Sequence, residues 1–321
     1  MGFPMVLIVS PALAQANNGN WQTASRWAQM LGERYRTGIQ VAWQGEACDV
    51  LIALHARRSA ASIAAFVELH PKRPCILVLT GTDLYRDIQA DPAAQTSLRL
   101  ATHIVVLQEQ GVHELPAAFQ KKVTVIYQSA RALKPVATPA RRLRVINVGH
   151  LRDEKDPLTY LRAAARLSSR RDIQFELIGQ ALEPALEAAT SHAASTNPQF
   201  RWLGALPHAA TRQRIKHAQV LVNTSRMEGG AHVILEAVQS GCAVLASNVP
   251  GNVGMLGAQH PGLFELGDDA ALTGLIARCR DDRAFFQTLR DHTRARAHLF
   301  EPREEQRRLR HLIQTALETS P

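Results

Sequence analysis

The sequence is short of several things, and each shortage closes off a class of function. Its four cysteines, Cys48, Cys75, Cys242 and Cys279, form no CxxC pair. Neither a zinc site nor a disulfide framework is therefore implied, and three of the thiols sit in or beside apolar runs as core residues. Aromatic residues make up only 5% of the chain. With no RNA-binding signature and no zinc-finger spacing either, nucleic acid is not an expected partner. No apolar run approaches membrane-spanning length, so stable membrane association is not expected. The opening stretch MGFPMVLIVSPALA lacks the charged leader of a signal peptide and reads as a first strand. The expected setting is reduced and cytoplasmic.

What the chain does have is positive charge and apolar runs. Lys and Arg number 37 against 28 Asp and Glu, a formal net charge of +9. Such a balance favours anionic partners, phosphorylated small molecules among them. The basic tail EPREEQRRLRHLIQTALE has helical spacing and reads as a solvated helix face. A length of 321 residues with 46% apolar content allows two domains, each with its own core.

Strand-like runs alternate with helical patterns. MVLIVS (5–10), GIQVAW (38–43), CDVLIALH (48–55), CILVLT (75–80), HIVVLQ (103–108) and KVTVIYQ (122–128) form a first set. Helical WQTASRWAQMLGERY (21–35) and SAASIAAFVELH (59–70) lie between them. The aperiodic 129–142, with two prolines and several Arg or Lys, reads as a linker. LRVINVG (143–149), IQFELIG (173–179), FRWLG (200–204), AQVLVNTS (218–225) and CAVLAS (242–247) form a second set. The expected fold is α/β: two Rossmann-like doubly wound domains, 1–135 and 136–321, facing across a cleft. The second includes the C-terminal helix. Ligands of such sheets bind at the carboxyl ends of the strands.

Two strand-to-helix loops in the second half suit an anion. In RMEGGAHVILEAVQSGCAVLAS (226–247), Gly229 and Gly230 stand between a strand and a helix. The unpaired amides of a helix start, with its positive dipole end, attract phosphate, and glycine lets it come close. Glu228 lies before the helix and Glu236 two turns into it, so they reach different parts of one ligand. A ribose diol suits one of them. A plain βαβ crossover, with one solvated and one capping glutamate, accounts for this stretch equally well. VGHLRDEKDP (148–157) adds Gly149, Arg152 and Lys155, a set suited to a diphosphate.

With its acid, seven residues, acid pattern, Glu228-GGAHVIL-Glu236, the C-terminal half resembles the donor domain of family-four glycosyltransferases. NVGHLRDEKDP and FRWLGALPHAAT strengthen the resemblance. It implies a GT-B fold, a retaining reaction and a UDP-sugar donor. By that resemblance Glu236 holds the ribose, while Glu228, Gly229, Gly230 and Ala231 face the donor sugar. Arg152 and Lys155, beside Gly149, hold the diphosphate and stabilise it as it leaves. Leu206 in LGALPH (203–208) borders the uracil. No metal and no other cofactor is expected, and the Asp-x-Asp motif of metal-dependent sugar transferases does not occur.

The N-terminal half is expected to bind the acceptor. Its strand-end loops supply Asn18, Gly19 and Asn20; His55, Arg57 and Arg58; and Thr80, Gly81 and Thr82. His55 resembles the histidine near the donor sugar in the same family, with a catalytic role implied. These loops offer small polar groups and two guanidinium groups, not an aromatic platform or an apolar channel. NNGNWQTASRWAQML, LIALHARRSAASI, LTGTDLYRDI and MEGGAHVILEAV together resemble the selenosugar synthases of the selenoneine pathway. That group joins a UDP-sugar, usually UDP-N-acetylglucosamine, to selenophosphate. An ordinary family-four transferase acting on a carbohydrate or lipid stays open as an alternative. So do a UDP-sugar 2-epimerase, which shares the fold, and a non-catalytic nucleotide-binding module. Residue patterns leave the oligomeric state open.

Overall fold

The computed structural model describes residues 2–12, 19–134, 136 and 141–319. It divides into two compact units. One runs to Gln128 and takes up the chain again from Pro302, and the other is Ser129–Glu301.

The first unit is built on a six-stranded, all-parallel sheet among its described residues. Its strands are β1 (Met5–Val9), β2 (Arg36–Gln40), β3 (Val50–Leu54), β4 (Cys75–Leu79), β5 (His103–Val106) and β6 (Val123–Val125), ordered β2-β1-β3-β4-β5-β6. Helices α1 (Gly19–Leu31), α2 (Ala60–Leu69), α3 (Ile88–Ala90), α4 (Pro92–Leu100) and α5 (Ala117–Gln120) follow strands of this sheet. Alternate residues of a strand point to opposite faces. Leu7 and Val9 accordingly join a core with Phe66 of α2 and Leu98 of α4, while Val6 and Ile8 join a second core with Trp27 and Leu31 of α1. Burial on both faces explains why β3 and β4 read as unbroken apolar runs.

The second unit carries the other six-stranded parallel sheet. Its strands are β7 (Leu143–Val148), β8 (Ile173–Ile178), β9 (Phe200–Trp202), β10 (Val220–Asn223), β11 (Ala243–Ser247) and β12 (Leu263–Phe264), ordered β12-β11-β10-β7-β8-β9. Its helices are α6 (Pro157–Arg166), α7 (Pro184–Thr196), α8 (His208–His217), α9 (His232–Val238), α10 (Pro250–Leu256), α11 (Asp269–Asp281) and α12 (Arg283–Ala295). Strand order reverses between β7 and β10, and in the first sheet between β1 and β3. At such a switch point successive loops diverge and leave a crevice beyond the strand ends.

The C-terminal helix departs from expectation. Helix α13 (Pro302–Thr319) belongs to the first unit, not the second. Its apolar stripe, Leu309, Leu312, Ile313 and Ala316, is buried against α1 and the first sheet. Burial of each such large side chain contributes about 1.5–3 kcal/mol. Glu305, fully buried, accepts from Trp27 Nε1 at 2.7 Å and from the Arg26 guanidinium at 2.9–3.1 Å. The tail is therefore a solvated face on one side only. The expected linker also ends sooner. Ala130, Arg131 and Leu133 bond to the second unit, through Phe300, Arg212 and Gln239, and 135 and 137–140 lie outside the described residues.

Replacing Glu305 by Ala removes the carboxylate that accepts from the Arg26 guanidinium and the Trp27 indole N–H. A loss of about 3 kcal/mol in unfolding free energy is expected in urea denaturation. A loss under 1 kcal/mol would mean that α13 is held by its apolar stripe alone.

Candidate active site

Two loops leave the carboxyl ends of β7 and β10, on either side of the second sheet's switch point, and the links that bind them together include the following four. Thr224 Oγ1 donates to Lys155 O at 2.9 Å, and the Arg226 amide donates to Glu154 O at 2.9 Å. Arg226 Nε donates to Asp153 O at 3.1 Å. The fourth link is ionic: Lys155 Nζ lies 2.5 Å from Glu228 Oε1. Asp156 takes a left-handed φ of 41° as the chain turns into α6, and its carboxylate accepts from Thr159 Oγ1 at 2.7 Å. Gly149, Arg152, Lys155 and Glu228, expected to act together, thus lie on one double loop. Arg152 is the least restrained, half exposed with its Nε 3.8 Å from Glu154.

Glu228 is buried, with Ser225 Oγ donating at 2.6 Å and Asn223 Nδ2 at 3.4 Å as well as the Lys155 ammonium. Burial alone would push its pKa up; the Lys155 charge and the three hydrogen bonds prevail and hold it below the ordinary carboxylate value. The site needs a glycine that the sequence reading passed over. A Cβ on Gly251, in the first turn of α10, would lie 1.8 Å from the Glu228 carbonyl oxygen. Helix α10 therefore packs directly on the Glu228 backbone. A Cβ on Gly179, at φ +154°, would come equally close to the Gly149 carbonyl. Gly229 and Gly230 do not take positive φ, so turn geometry is not what demands glycine there. Ala231, buried, occupies the N-cap position of α9.

Glu236, in the middle of α9, is also buried. Three basic side chains converge on its Oε1: His208 Nε2 at 2.5 Å, His232 Nδ1 at 3.5 Å and Arg212 Nη1 at 3.7 Å. Burial pushes this carboxyl up too, but the His208 hydrogen bond and the charges of His232, His208 and Arg212 bring it below the ordinary value. Leu206, half-buried, sits two residues before His208, and its carbonyl accepts weakly from Thr211 Oγ1 at 3.5 Å. None of these three side chains stands out from the sequence alone. His208 and Arg212 stand on α8, far from Glu236 in the chain, and only His232 has the i,i+4 spacing that could have pointed to it.

In the first unit the expected acceptor residues gather around an acid. Asp83 is fully buried and accepts from the amides of Ala56, Thr80 and Gly81, each at 2.9 Å. It pins the loop after β3 to the loop after β4. His55 ends β3 with a left-handed φ of 74°, a conformation that costs a non-glycine residue energy and persists because its surroundings hold it. Its Nε2 is 3.3 Å from Thr82 Oγ1 and 3.9 Å from Asp87; its Nδ1 is 3.9 Å from Asp83. Burial lowers the His55 pKa, against the pull of Asp83 and Asp87 and with the push of Arg58 and Arg57, so the ring is neutral at pH 7. Arg57 is not a free cation, since its Nε stands 3.1 Å from Asp87. Arg58 is exposed. Gly19 and Asn20 open α1 rather than lying in the loop before it, and Asn18 lies outside the described residues. Asp83 and Asp87 were legible in LTGTDLYRDI only as loop and helix residues; their role comes from the turn that folds them under His55.

Lys155→Met leaves Glu228 buried without its cation, so burial dominates and the carboxyl pKa rises above the ordinary 4.5. A carboxyl raised in the folded state costs stability as pH climbs through its folded pKa. The variant is therefore expected to lose about 3–5 kcal/mol at pH 7, and much less at pH 4, in denaturation at the two pH values. An equal loss at both would remove the ion pair as the cause. Gly251→Ala is expected to displace the Glu228 carbonyl and lower the melting temperature by several degrees, at about 4 °C or less per kcal/mol for a chain of this size; an unchanged melt would mean α10 yields without cost.

Comparison with known proteins adds an independent line. The family described as glycosyl transferases group 1 matches residues 128–297, just over half of the chain. A sucrose-phosphate synthase from Thermosynechococcus elongatus superposes with a TM-score of 0.79 at 17% identity, over 99% of this chain and 100% of that one. Anabaena HepE, solved in complex with UDP-glucose, gives 0.73 at 15% identity over 98% and 99%. The pneumococcal O-GlcNAc transferase GtfA, in complex with UDP and GlcNAc, gives 0.68 at 14% over 84% of this chain and 57% of that one. At such identities the likeness establishes the fold, the two-domain Rossmann-like GT-B architecture. With that fold and a family match that spans both sewn loops, the chain belongs to the group 1 glycosyltransferases.

Proposed function

We propose that the protein is a selenosugar synthase. It takes a sugar, N-acetylglucosamine by preference, from a UDP-sugar and joins it to the selenium of selenophosphate. The donor half of this reading is supported by one observation above others: two buried carboxylates and the cations beside them lie at the switch point of the second sheet. Glu236 would accept both ribose hydroxyls. Lys155 and Arg152 would take the diphosphate, with the amides of the Gly229–Gly230 turn and Ala231 beside them. Glu228 would then face the sugar. Solved relatives in complex with UDP or UDP-glucose support the choice of nucleotide.

The acceptor half rests on the resemblance of the N-terminal loops and on the chemistry they carry. Arg57 and Arg58, with Thr80, Gly81 and Thr82, offer a small anion charged and hydroxylic donors. Asp87 stands 3.1 Å from Arg57 Nε and draws this half-exposed guanidinium toward the loop. His55, neutral and locked, would accept or donate a single hydrogen bond near the anomeric carbon. In the reaction the bond between C1 and the UDP oxygen breaks, with its electrons leaving on UDP. A C1–Se bond forms. Water then takes the phosphorus, the P–Se bond breaks, and phosphate departs, leaving a 1-selenosugar. A polarisable selenium nucleophile needs little general-base help, so positioning and leaving-group stabilisation carry the rate. Arg152 and Lys155 supply the charge at the leaving oxygen, and the reaction is proposed to need no metal.

The deciding experiment is a mass-spectrometric screen of UDP-sugars against selenophosphate, with EDTA present. The expected result is a 1-selenosugar, formed from UDP-N-acetylglucosamine with one UDP per product. Transfer to a sugar or lipid acceptor alone would favour an ordinary transferase, and interconversion of UDP-sugars without acceptor an epimerase. Abolition of turnover by EDTA would contradict the metal-free mechanism. Arg57→Ala/Arg58→Ala is expected to raise the KM for selenophosphate about tenfold, a change of 1.4 kcal/mol, and to leave UDP affinity unchanged.

A further inference from the structure

We infer that His208 is a displaceable gate on the nucleotide site: in the empty protein it occupies the carboxylate oxygen that the ribose diol must take. The inference rests on the reading of Glu236 as the ribose acceptor and deepens it. A diol binds a carboxylate through both oxygens, so Oε1 must be accessible to one of the hydroxyls. In the structure three basic side chains stand around that atom, and they are not equivalent. The Arg212 side chain is 10% exposed, and its Nη2 is tied to Arg131 O at 2.8 Å. His232 is 23% exposed and shares α9 with Glu236. His208 is 52% exposed, stands at the first position of α8, and makes the shortest contact, 2.5 Å. A ligand arriving from solvent meets His208 first. Arg212 and His232 can stay in place and keep the carboxylate ionised, whereas His208 must rotate away.

The groups beside the imidazole include Glu236 and His232 from α9, the latter edge-on with ring centroids 6.4 Å apart, and Arg212, which meets the same Glu236 oxygen from α8. A protonated His208 holds Glu236 more firmly than a neutral one, so the gate is strongest at low pH and opens as the imidazole loses its proton. Nucleoside affinity therefore rises with pH. His208 is half exposed although Glu236 is buried, and solvent at the imidazole limits the strength of the pair, so the gate tunes affinity rather than barring entry.

Uridine is the probe, because it carries the diol and no phosphate to titrate. Its affinity is measured by NMR titration at pH 5.5 and pH 8 for the wild type, His208→Ala and Glu236→Ala. His208→Ala is expected to bind uridine about three- to tenfold more tightly at pH 5.5, and to lose most of the wild type's gain between the two pH values. Tightening of less than threefold, or weaker binding, overturns the gate; weaker binding would make His208 a ligand of the nucleoside. Glu236→Ala separates the two claims. If it abolishes uridine binding while His208→Ala changes nothing, the ribose reading stands and the gate falls. If Glu236→Ala binds as the wild type does, the ribose reading falls and takes the gate with it. Circular dichroism of each variant excludes misfolding as the cause.

Discussion

A lysine and a glutamate that meet out of water hold together the part of this protein where its chemistry is expected. Lys155 and Glu228 come from different loops, 73 positions apart, and meet at 2.5 Å. A buried pair is an uncertain source of stability, because desolvation takes back much of the attraction. Its consequence here is geometric. It fixes the loop after β7 against the loop after β10, and the Thr224 and Arg226 bonds follow the same seam. With Lys155 gone, Glu228 becomes an uncompensated charge in a low-dielectric pocket, whereas Lys155 itself keeps some contact with solvent. In the proposed reaction that same property is useful. A lysine paired with a carboxylate has somewhere to return when the diphosphate leaves, and the carboxylate keeps its Ser225 and Asn223 donors meanwhile.

Both units carry buried acids beyond the carboxyl ends of their strands, Asp83 in the first unit and Glu228 and Glu236 in the second among them, and these are held differently. Asp83 is satisfied by three backbone amides. Such donors cannot move without unfolding the loops, so Asp83 is a fastening. Glu228 and Glu236 are satisfied largely by side chains, and among these the lysine and the histidines can exchange partners. Side chains that rotate can hand a carboxylate to a ligand, while amides in a tight turn cannot. By this criterion the nucleotide chemistry belongs to the second unit. In the first unit Asp83 ties two loops together, and Arg57 and Arg58 after His55 reach solvent.

The elements that were legible in the sequence are those whose signal is local. Strands buried on both faces appear as apolar runs, and β1, β3, β4, β7, β10 and β11 lie where those runs stand. Of the second sheet, β12 is only two residues long, too short to leave a pattern. β2 starts two residues before the expected run because its register is set by β1, with Arg36 bonding to Pro4 and the ladder ending at Gln40. The acid pair of 228 and 236 and the Arg152–Lys155 loop were visible as motifs. Their surroundings were not. Gly251 matters because α10 returns across Glu228, Arg212 because α8 turns a guanidinium inward, and α13 because its apolar stripe fits α1 better than any neighbour in sequence. Each of these is a tertiary fact, with no period or spacing to announce it.

The central claim is that the two sewn loops and Glu236 form a nucleotide-sugar donor site. A crystal structure of the protein with UDP tests it most directly. The account predicts both ribose hydroxyls on the Glu236 carboxylate, with His208 turned away, and the diphosphate within hydrogen-bond reach of Lys155 and Arg152. UDP bound elsewhere, or bound with Glu236 still closed on His208 and Lys155 distant from the phosphates, would contradict it.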